Sequence, residues 1–276
     1  MTDNAWSHSR NAGSADDIDF EIKGQELQFV EIELDSGESA VAEAGAMVWK
    51  DAGVGMTTVF GDGSGDGGGG FMGKLLGAGK RLVTGESLFT TVFTHNGSGK
   101  AKVAFSAPVP GAILPIKLSD VGGTLICQKD SFLAAAKGVA IGIQFQRKVM
   151  TGLFGGEGFI MQKLDGDGWV FVQMGGTIVE RTLSAGEEIH VDTGCLAAYT
   201  PSVDFDLVTA GGVKSMIFGG EGMFFARLRG PGKVWIQSLP FSRLAGRMLA
   251  TAGSRGGQNR GEGSALGGLG DLISGN

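Results

Sequence analysis

The chain has 276 residues, of which 51 are glycine and six are proline, and its formal net charge is −6 at pH 7. So high a glycine content without a Gly-X-Y period indicates many tight turns and excludes a collagen-like fibre. The acidic balance argues against a nucleic-acid partner, because binding to phosphates needs a clustered basic surface. Two cysteines are too few for a disulfide framework.

The start of the chain is polar and has no hydrophobic period, so we expect a disordered arm over residues 1–17. It lacks the apolar core of a secretory signal, and its aspartates oppose a mitochondrial transit peptide. No run of apolar residues approaches 18, the length that a membrane-spanning helix requires. We therefore expect a cytoplasmic protein.

An internal repeat organises the chain from Ile18 onward. The sequence FGGEGFIMQKLDGDGWVFVQ at 154–173 recurs as FGGEGMFFARLRGPGKVWIQ at 218–237, and a weaker copy begins at Gly85. Alternation of apolar and polar residues, as at 18–22, is typical of strands with one buried face. We predict an all-β fold of three repeated antiparallel β-sandwich or hairpin units, at 18–110, 111–176 and 177–240.

Each copy of the repeat places a glycine turn between two apolar segments. The turns are HNGSG at 95–99, DGDG at 165–168 and RGPG at 229–232. Because glycine adopts positive φ without steric cost, we interpret each as the turn of a β-hairpin whose two strands pair with each other.

The first unit carries a glycine-rich insert at 60–84, which contains fragments of two known motifs. A GxxxxGK match at 68–74 is followed by Leu75, where a phosphate-binding loop needs Ser or Thr. The acidic spacing at 62–67 lacks the glutamate that completes a calcium loop. The histidines have no partners at metal-ligand spacing, and no nucleophile motif is present. We therefore expect no metal, no cofactor and no enzymatic activity.

Three glutamates recur at one position of the repeat: Glu86, Glu157 and Glu221. A carboxylate beside a glycine turn can accept backbone N–H bonds and hold the entry to the turn. We favour this structural role over a role in binding a ligand.

A helix is predicted at 241–252, where Phe241, Leu244 and Met248 share an apolar face and Arg243 and Arg247 lie elsewhere on the surface. The face could dock on the β core or on a neighbouring subunit, or it could lie on an anionic membrane. We favour docking, because two arginines give little electrostatic attraction. The Gly-rich residues 253–276 are expected to form a flexible tail.

Several ordered motifs together resemble one family. They are EAGAMVW (43–49), LVTGESLF (82–89), QKDSFLA (128–134), both FGGEG segments, VDTGCLAAY (191–199) and GPGKVWIQS (230–238). The chain is similar to bacterial relatives of altered inheritance of mitochondria protein 24. This resemblance implies a fold like that of the tryptophan RNA-binding attenuation protein, with duplicated β-sandwich units packed in an assembly that is often a trimer. It carries no catalytic residues across, and the mitochondrial members' association with inner-membrane organisation implies scaffolding.

The leading hypothesis is a non-enzymatic, oligomeric β-sandwich scaffold, with a trimer favoured and a protein partner of unknown identity. A module that binds a small ligand or metal in the clefts between repeats is the alternative. Peripheral membrane contact through 241–251 or 71–83 stays open, and RNA binding ranks last because it would rest on fold analogy alone.

Overall fold

The computed structural model describes residues 14–60, 89–147, 159–209 and 224–252. These segments contain nineteen β-strands, two short 3-10 helices and one α-helix. The strands are β1 (Asp19–Lys23), β2 (Phe29–Leu34), β3 (Ser39–Glu43), β4 (Met47–Lys50), β5 (Val54–Phe60), β6 (Phe89–His95), β7 (Ala101–Ser106), β8 (Gly111–Lys117), β9 (Thr124–Gln128), β10 (Phe132–Ala136), β11 (Ala140–Arg147), β12 (Phe159–Asp165), β13 (Trp169–Gly175), β14 (Ile178–Leu183), β15 (Glu188–Asp192), β16 (Leu196–Tyr199), β17 (Asp204–Thr209), β18 (Phe224–Arg229) and β19 (Gly232–Gln237). The 3-10 helices are Leu118–Val121 and Lys129–Ser131, and α1 is Phe241–Ala252.

The described strands form four sheets. Sheet 1 has the order β1-β2-β7-β4, sheet 2 has β5-β6-β3-β10-β13-β8, sheet 3 has β11-β12-β9-β16-β19-β14, and sheet 4 has β15-β18-β17. The pairs of named strands are antiparallel. The predicted all-β class with one C-terminal helix is therefore confirmed.

One pairing pattern occurs in three consecutive sets of six strands. The first set runs from β2 to β7, the second from β8 to β13 and the third from β14 to β19. Within each set of six strands, the first, sixth and third pair in that order, and so do the fourth, fifth and second. The third strand of each set carries a register shift at the same place, at 47/49, 132/134 and 196/198. Because a bulge changes the direction of a strand, these shifts turn each third strand similarly.

Neighbouring sets are joined by a pairing between the second strand of one set and the third strand of the next. In sheet 2, β3 pairs with β10 so that Ala42 faces Ala134. In sheet 3, β9 pairs with β16 so that Cys127 faces Ala198. The second strand of the last set is β15 and the third strand of the first set is β4, and both are edge strands of the described sheets.

The hairpin interpretation of the glycine turns is wrong. The turn at 165–168 joins β12 in sheet 3 to β13 in sheet 2, the turn at 95–99 joins sheet 2 to sheet 1, and the turn at 229–232 joins sheet 4 to sheet 3. In β12 and β13, runs of consecutive residues are buried, which requires cover on both faces. The turn sequence predicts that the chain reverses direction. The two apolar strands that it joins nevertheless belong to different sheets.

The end of the predicted disordered arm is bound to the sheets. The amide of Ala15 donates to Asp167 Oδ1 at 2.9 Å, and the amide of Asp16 donates to the carbonyl of Lys137 at 2.9 Å. Asp16 Oδ2 in turn accepts from the amide of Ser39 at 2.8 Å. Residues 14–17 therefore belong to the folded part of the chain.

Candidate functional site

A cavity of about 140 Å³ lies where residues of all three sets meet under the start of α1. Its polar wall includes Glu43 at the end of β3, Gln128 at the end of β9, and Gln173 and Gln237 near the ends of β13 and β19. Its apolar wall includes Pro108, Val109, Pro240 and Phe241. Glu43 and Gln128 are the last residues of the second strands of their sets, and Gln173 and Gln237 lie near the ends of the sixth strands.

Gln173 and Gln237 are equivalent residues with different hydrogen bonding. The Nε2 atom of Gln173 donates to the carbonyl of Asp130 at 2.8 Å, and that of Gln237 donates to the carbonyl of Gly194 at 2.9 Å. Gln237 Oε1 also accepts from the amide of Gly175 at 2.9 Å. Gln173 Oε1 is buried and accepts no hydrogen bond from the described residues.

Gln128 presents a second unpaired oxygen. Gln128 is 5% exposed and Gln173 is 4% exposed, and the Oε1 atom of each is buried without a donor among the described residues. An unpaired buried amide oxygen costs about 1–3 kcal/mol, so native proteins nearly always satisfy such atoms with protein, water or ligand.

The carboxyl group of Glu43 completes the polar wall. The pKa of Glu43 is raised to about 7, mainly by burial and also by the negative charge of Asp130, while the positive charge of Lys129 opposes both. The cavity therefore contains a carboxyl group that changes charge near neutral pH, next to two amide oxygens that lack donors.

Helix α1 places the predicted interaction residues at the surface. Arg243 Nη2 lies 3.6 Å from Asp192 Oδ2, and Leu244 is half-buried, so the first turn contacts the sheets. Phe241 is 49% exposed, Met248 is 62% exposed and Arg247 is exposed. Leu249, 72% exposed, extends the same apolar surface. Docking of the whole apolar face on the chain's own core is thus not observed in the described residues.

The two open edge strands carry contrasting side chains. On β4, Met47, Val48 and Trp49 are between 36% and 53% exposed, which is unusual for residues of such size. On β15, Glu188 and His190 are exposed. An exposed edge with apolar side chains is a surface on which another strand can pair.

The recurring glutamates Glu86, Glu157 and Glu221 lie outside the described residues, as does most of the insert at 60–84. Within the described segments, no group of three or more His, Cys, Asp or Glu side chains is arranged to hold a metal ion. None of the described helices has the length and hydropathy of a membrane span.

Glu43, Gln128, Gln173 and Gln237 were not predicted as site residues from the sequence. A signal for two of them was present, because the repeated segments end in VFVQ and VWIQ and thus place Gln173 and Gln237 in register. The motifs EAGAMVW and QKDSFLA begin at Glu43 and Gln128, but they do not show that the two residues lie close together, since their proximity depends on the pairing between sets.

Comparisons with known proteins place this arrangement in one family. The model of the family described as Mitochondrial biogenesis AIM24 matches residues 20–239. An uncharacterized protein of Streptococcus pyogenes is 31% identical over 229 residues, which cover 82% of this chain and 87% of that protein. A crystal structure of a Streptococcus pyogenes protein superposes with a TM-score of 0.67 at 27% identity, covering 85% of this chain and 99% of the other. The family match spans the described β-structure from β1 to β19, and the chain belongs to the Mitochondrial biogenesis AIM24 family.

Proposed function

We propose that this protein is a non-enzymatic scaffold whose copies assemble head to tail through β15 of one copy and β4 of the next. One observation carries the proposal: among the described strands, a second strand pairs with the third strand of the next set twice, and β15 and β4 have no such partner there. Pairing between copies would supply the third junction. Because such contacts are heterologous, they close into a ring when the rotation allows, and the family resemblance favours three copies.

The two internal junctions predict the register of the contact between copies. Ala42 faces Ala134 in the first junction and Cys127 faces Ala198 in the second. The equivalent residues of the open strands are Val191 on β15 and Trp49 on β4. In the next pair along the strands, His190 would face Lys50. Lys50 would then lie diagonally opposite Glu188, and these two side chains have opposite charges.

Cysteine cross-linking tests this register. In a Cys195→Ser background, Val191→Cys together with Trp49→Cys should form disulfides between copies, because facing residues of antiparallel strands have Cα atoms about 4.5–5.5 Å apart. A closed covalent oligomer of three chains is expected on a non-reducing gel.

The matched control pairs Val191→Cys with Met56→Cys, since Met56 is exposed on β5, which is not an open third strand. Equal cross-linking in the control, or a monomeric mass for the native chain in light scattering, would refute head-to-tail assembly.

The exposed apolar surface of α1 is proposed as the contact of this scaffold with a lipid bilayer surface. A helix that lies in a membrane interface needs large apolar residues on one side, which Phe241, Met248 and Leu249 provide. Arg243 is close to Asp192, so its charge is partly compensated. We therefore expect binding to depend on apolar contact more than on anionic lipid.

The second candidate function, binding of a small ligand between repeats, is supported by the cavity and its unpaired oxygens. It is compatible with a scaffold, because the cavity and the open edges involve different residues.

A further inference from the structure

The unpaired oxygen of Gln173 has a definite cause in the repeat. Gly175 is the second residue after Gln173, and its amide donates to Gln237 in the next set. The equivalent residue of the preceding set is the second after Ser106, which is Pro108. Proline has no N–H, so the donor that would satisfy Gln173 Oε1 by analogy with Gly175 does not exist.

The orientation of Gln173 is determined by its other hydrogen bond. Its Nε2 atom donates to the carbonyl of Asp130, and a flipped amide would place two oxygens together. Oε1 is therefore the end of this cavity-lining side chain that has no donor among the described residues. Gln128 Oε1 is a second such acceptor on the same wall, and Glu43 supplies a carboxyl group.

These groups define the chemistry of an occupant. Two amide oxygens and a carboxylate are all acceptors, and an ammonium group carries three N–H donors and a complementary charge. The cavity is also lined by the apolar residues Pro108, Val109 and Phe241. A volume of about 140 Å³ has room for a ligand of a few non-hydrogen atoms.

We propose that the cavity binds a small primary ammonium ion, with its N–H groups directed to Gln128, Gln173 and Glu43 and its short apolar stem directed to Pro108, Val109 and Phe241. An inorganic divalent cation fits less well, because such ions take six or more oxygen ligands and the cavity offers few carboxylates. The proposal is independent of head-to-tail assembly, since none of these residues lies on the β4 or β15 edge.

Calorimetric titration of the full chain with n-butylammonium chloride tests the proposal. We expect saturable binding with a Kd of roughly 1 mM or below, as the size of the ligand allows. Butan-1-ol has the same stem with one uncharged donor, and tetramethylammonium has charge without N–H groups, so both should bind at least tenfold more weakly. Equal binding of butan-1-ol would show only an apolar cavity and would refute the proposal.

Substitutions assign the binding to the cavity. Gln128→Met keeps the length of the side chain and removes the acceptor, so affinity for n-butylammonium should fall about tenfold to a hundredfold. Gln162→Met is the matched control, because Gln162 is also buried with an unpaired Oε1 but does not line the cavity. Loss of affinity in both variants, or in neither, would overturn the assignment.

Two further measurements address occupancy by other groups. Pro108→Ala should restore a backbone donor for Gln173 and weaken binding of n-butylammonium without unfolding the chain. Titration with calcium or potassium chloride should give no binding signal that depends on Gln128. If a calcium or potassium signal is present and Gln128→Met abolishes it, the site binds an inorganic cation and the ammonium proposal is wrong.

Discussion

Pro108 and Gly175 occupy equivalent places in successive sets of strands, and one backbone hydrogen atom separates their effects. The amide of Gly175 satisfies Gln237 Oε1 at 2.9 Å, whereas Pro108 leaves Gln173 Oε1 without the corresponding donor. The repeat therefore forms the same glutamine bond to the chain in both places, but of these two equivalent glutamines Gln173 is the one whose Oε1 has no donor among the described residues. Proline in place of glycine thus leaves a glutamine oxygen without its backbone donor and provides a candidate binding site.

Glu43 should make stability depend on pH. Its pKa is about 7 in the folded protein and 4.5 as the reference value, so the folded state holds the proton more tightly. Stability should fall as pH rises from about 4.5 to about 7. Glu43→Gln removes this loss, so the variant should be roughly 1–3 kcal/mol more stable than the native protein above pH 7, given partial solvent access. The difference should vanish near pH 4.5.

Urea unfolding at several pH values measures this effect. The exposed Glu26→Gln variant controls for the loss of one negative charge. A stability difference for Glu43→Gln that stays constant from pH 4.5 to pH 8 would contradict the prediction.

Gly175 should not tolerate a side chain. A Cβ atom there would lie 1.9 Å from the carbonyl oxygen of Leu239, which is backbone and cannot rotate away. Gly175→Ala should push the chain before α1 out of place and cost about 2–4 kcal/mol, or a decrease in Tm of roughly 5–10 °C. Gly142→Ala is the matched control, because Gly142 lies in β11 with open space around its Cβ position. Calorimetry that finds equal Tm values for the two variants would disprove the clash.

Among the elements, the glycine turns show which features of the strands can be predicted from local sequence. Two strands joined by a short turn can pair through their backbones, or they can enter different sheets, and the turn residues are compatible with both. The apolar runs in β12 and β13 bury residues on both faces, which favours separate sheets. The reversal of direction could be predicted from the turn, but the strand partners could not.

Helix α1 is the element whose exposed face should bind a bilayer. The double variant Met248→Gln and Leu249→Gln removes the two most exposed apolar side chains of the described helix. We expect co-sedimentation of the native protein with phosphatidylcholine vesicles and at least a fivefold loss in the variant, because the apolar area that would leave water is removed.

Arg247→Gln is the control on the same helix, since it changes a charge and leaves the apolar residues in place. If native protein does not bind vesicles and the double variant instead changes the mass of the oligomer, the apolar face belongs to a contact between subunits.

At the scale of the whole molecule, the open junction predicts how charge controls assembly. Lys50→Glu would place a negative charge opposite His190 and diagonal to Glu188 of the next copy. The dissociation constant between copies should rise at least tenfold, because the attraction between Lys50 and the diagonal Glu188 is replaced by repulsion between two negative charges. Analytical ultracentrifugation over a concentration series measures the shift.

Two variants make this test specific. Lys137→Glu introduces the same charge change at an exposed turn and should leave the mass unchanged. Combining Lys50→Glu with Glu188→Lys should restore assembly, because the exchanged pair is again complementary. Failure of this rescue, with both single variants folded, would argue against the proposed register.

The all-β class, the family and the position of α1 could be predicted from the sequence, because alternation, glycine turns and helical spacing are local patterns. The repeated VFVQ and VWIQ endings also place Gln173 and Gln237 in equivalent positions. The strand partners, the binding of residues 14–17 to the sheets, and the shared cavity of Glu43, Gln128 and Gln173 became visible in the folded chain. The physical reason is that backbone hydrogen bonds between strands far apart in the chain are independent of side-chain pattern, so the junctions between sets, the cavity and the open edges exist only once the sheets are assembled.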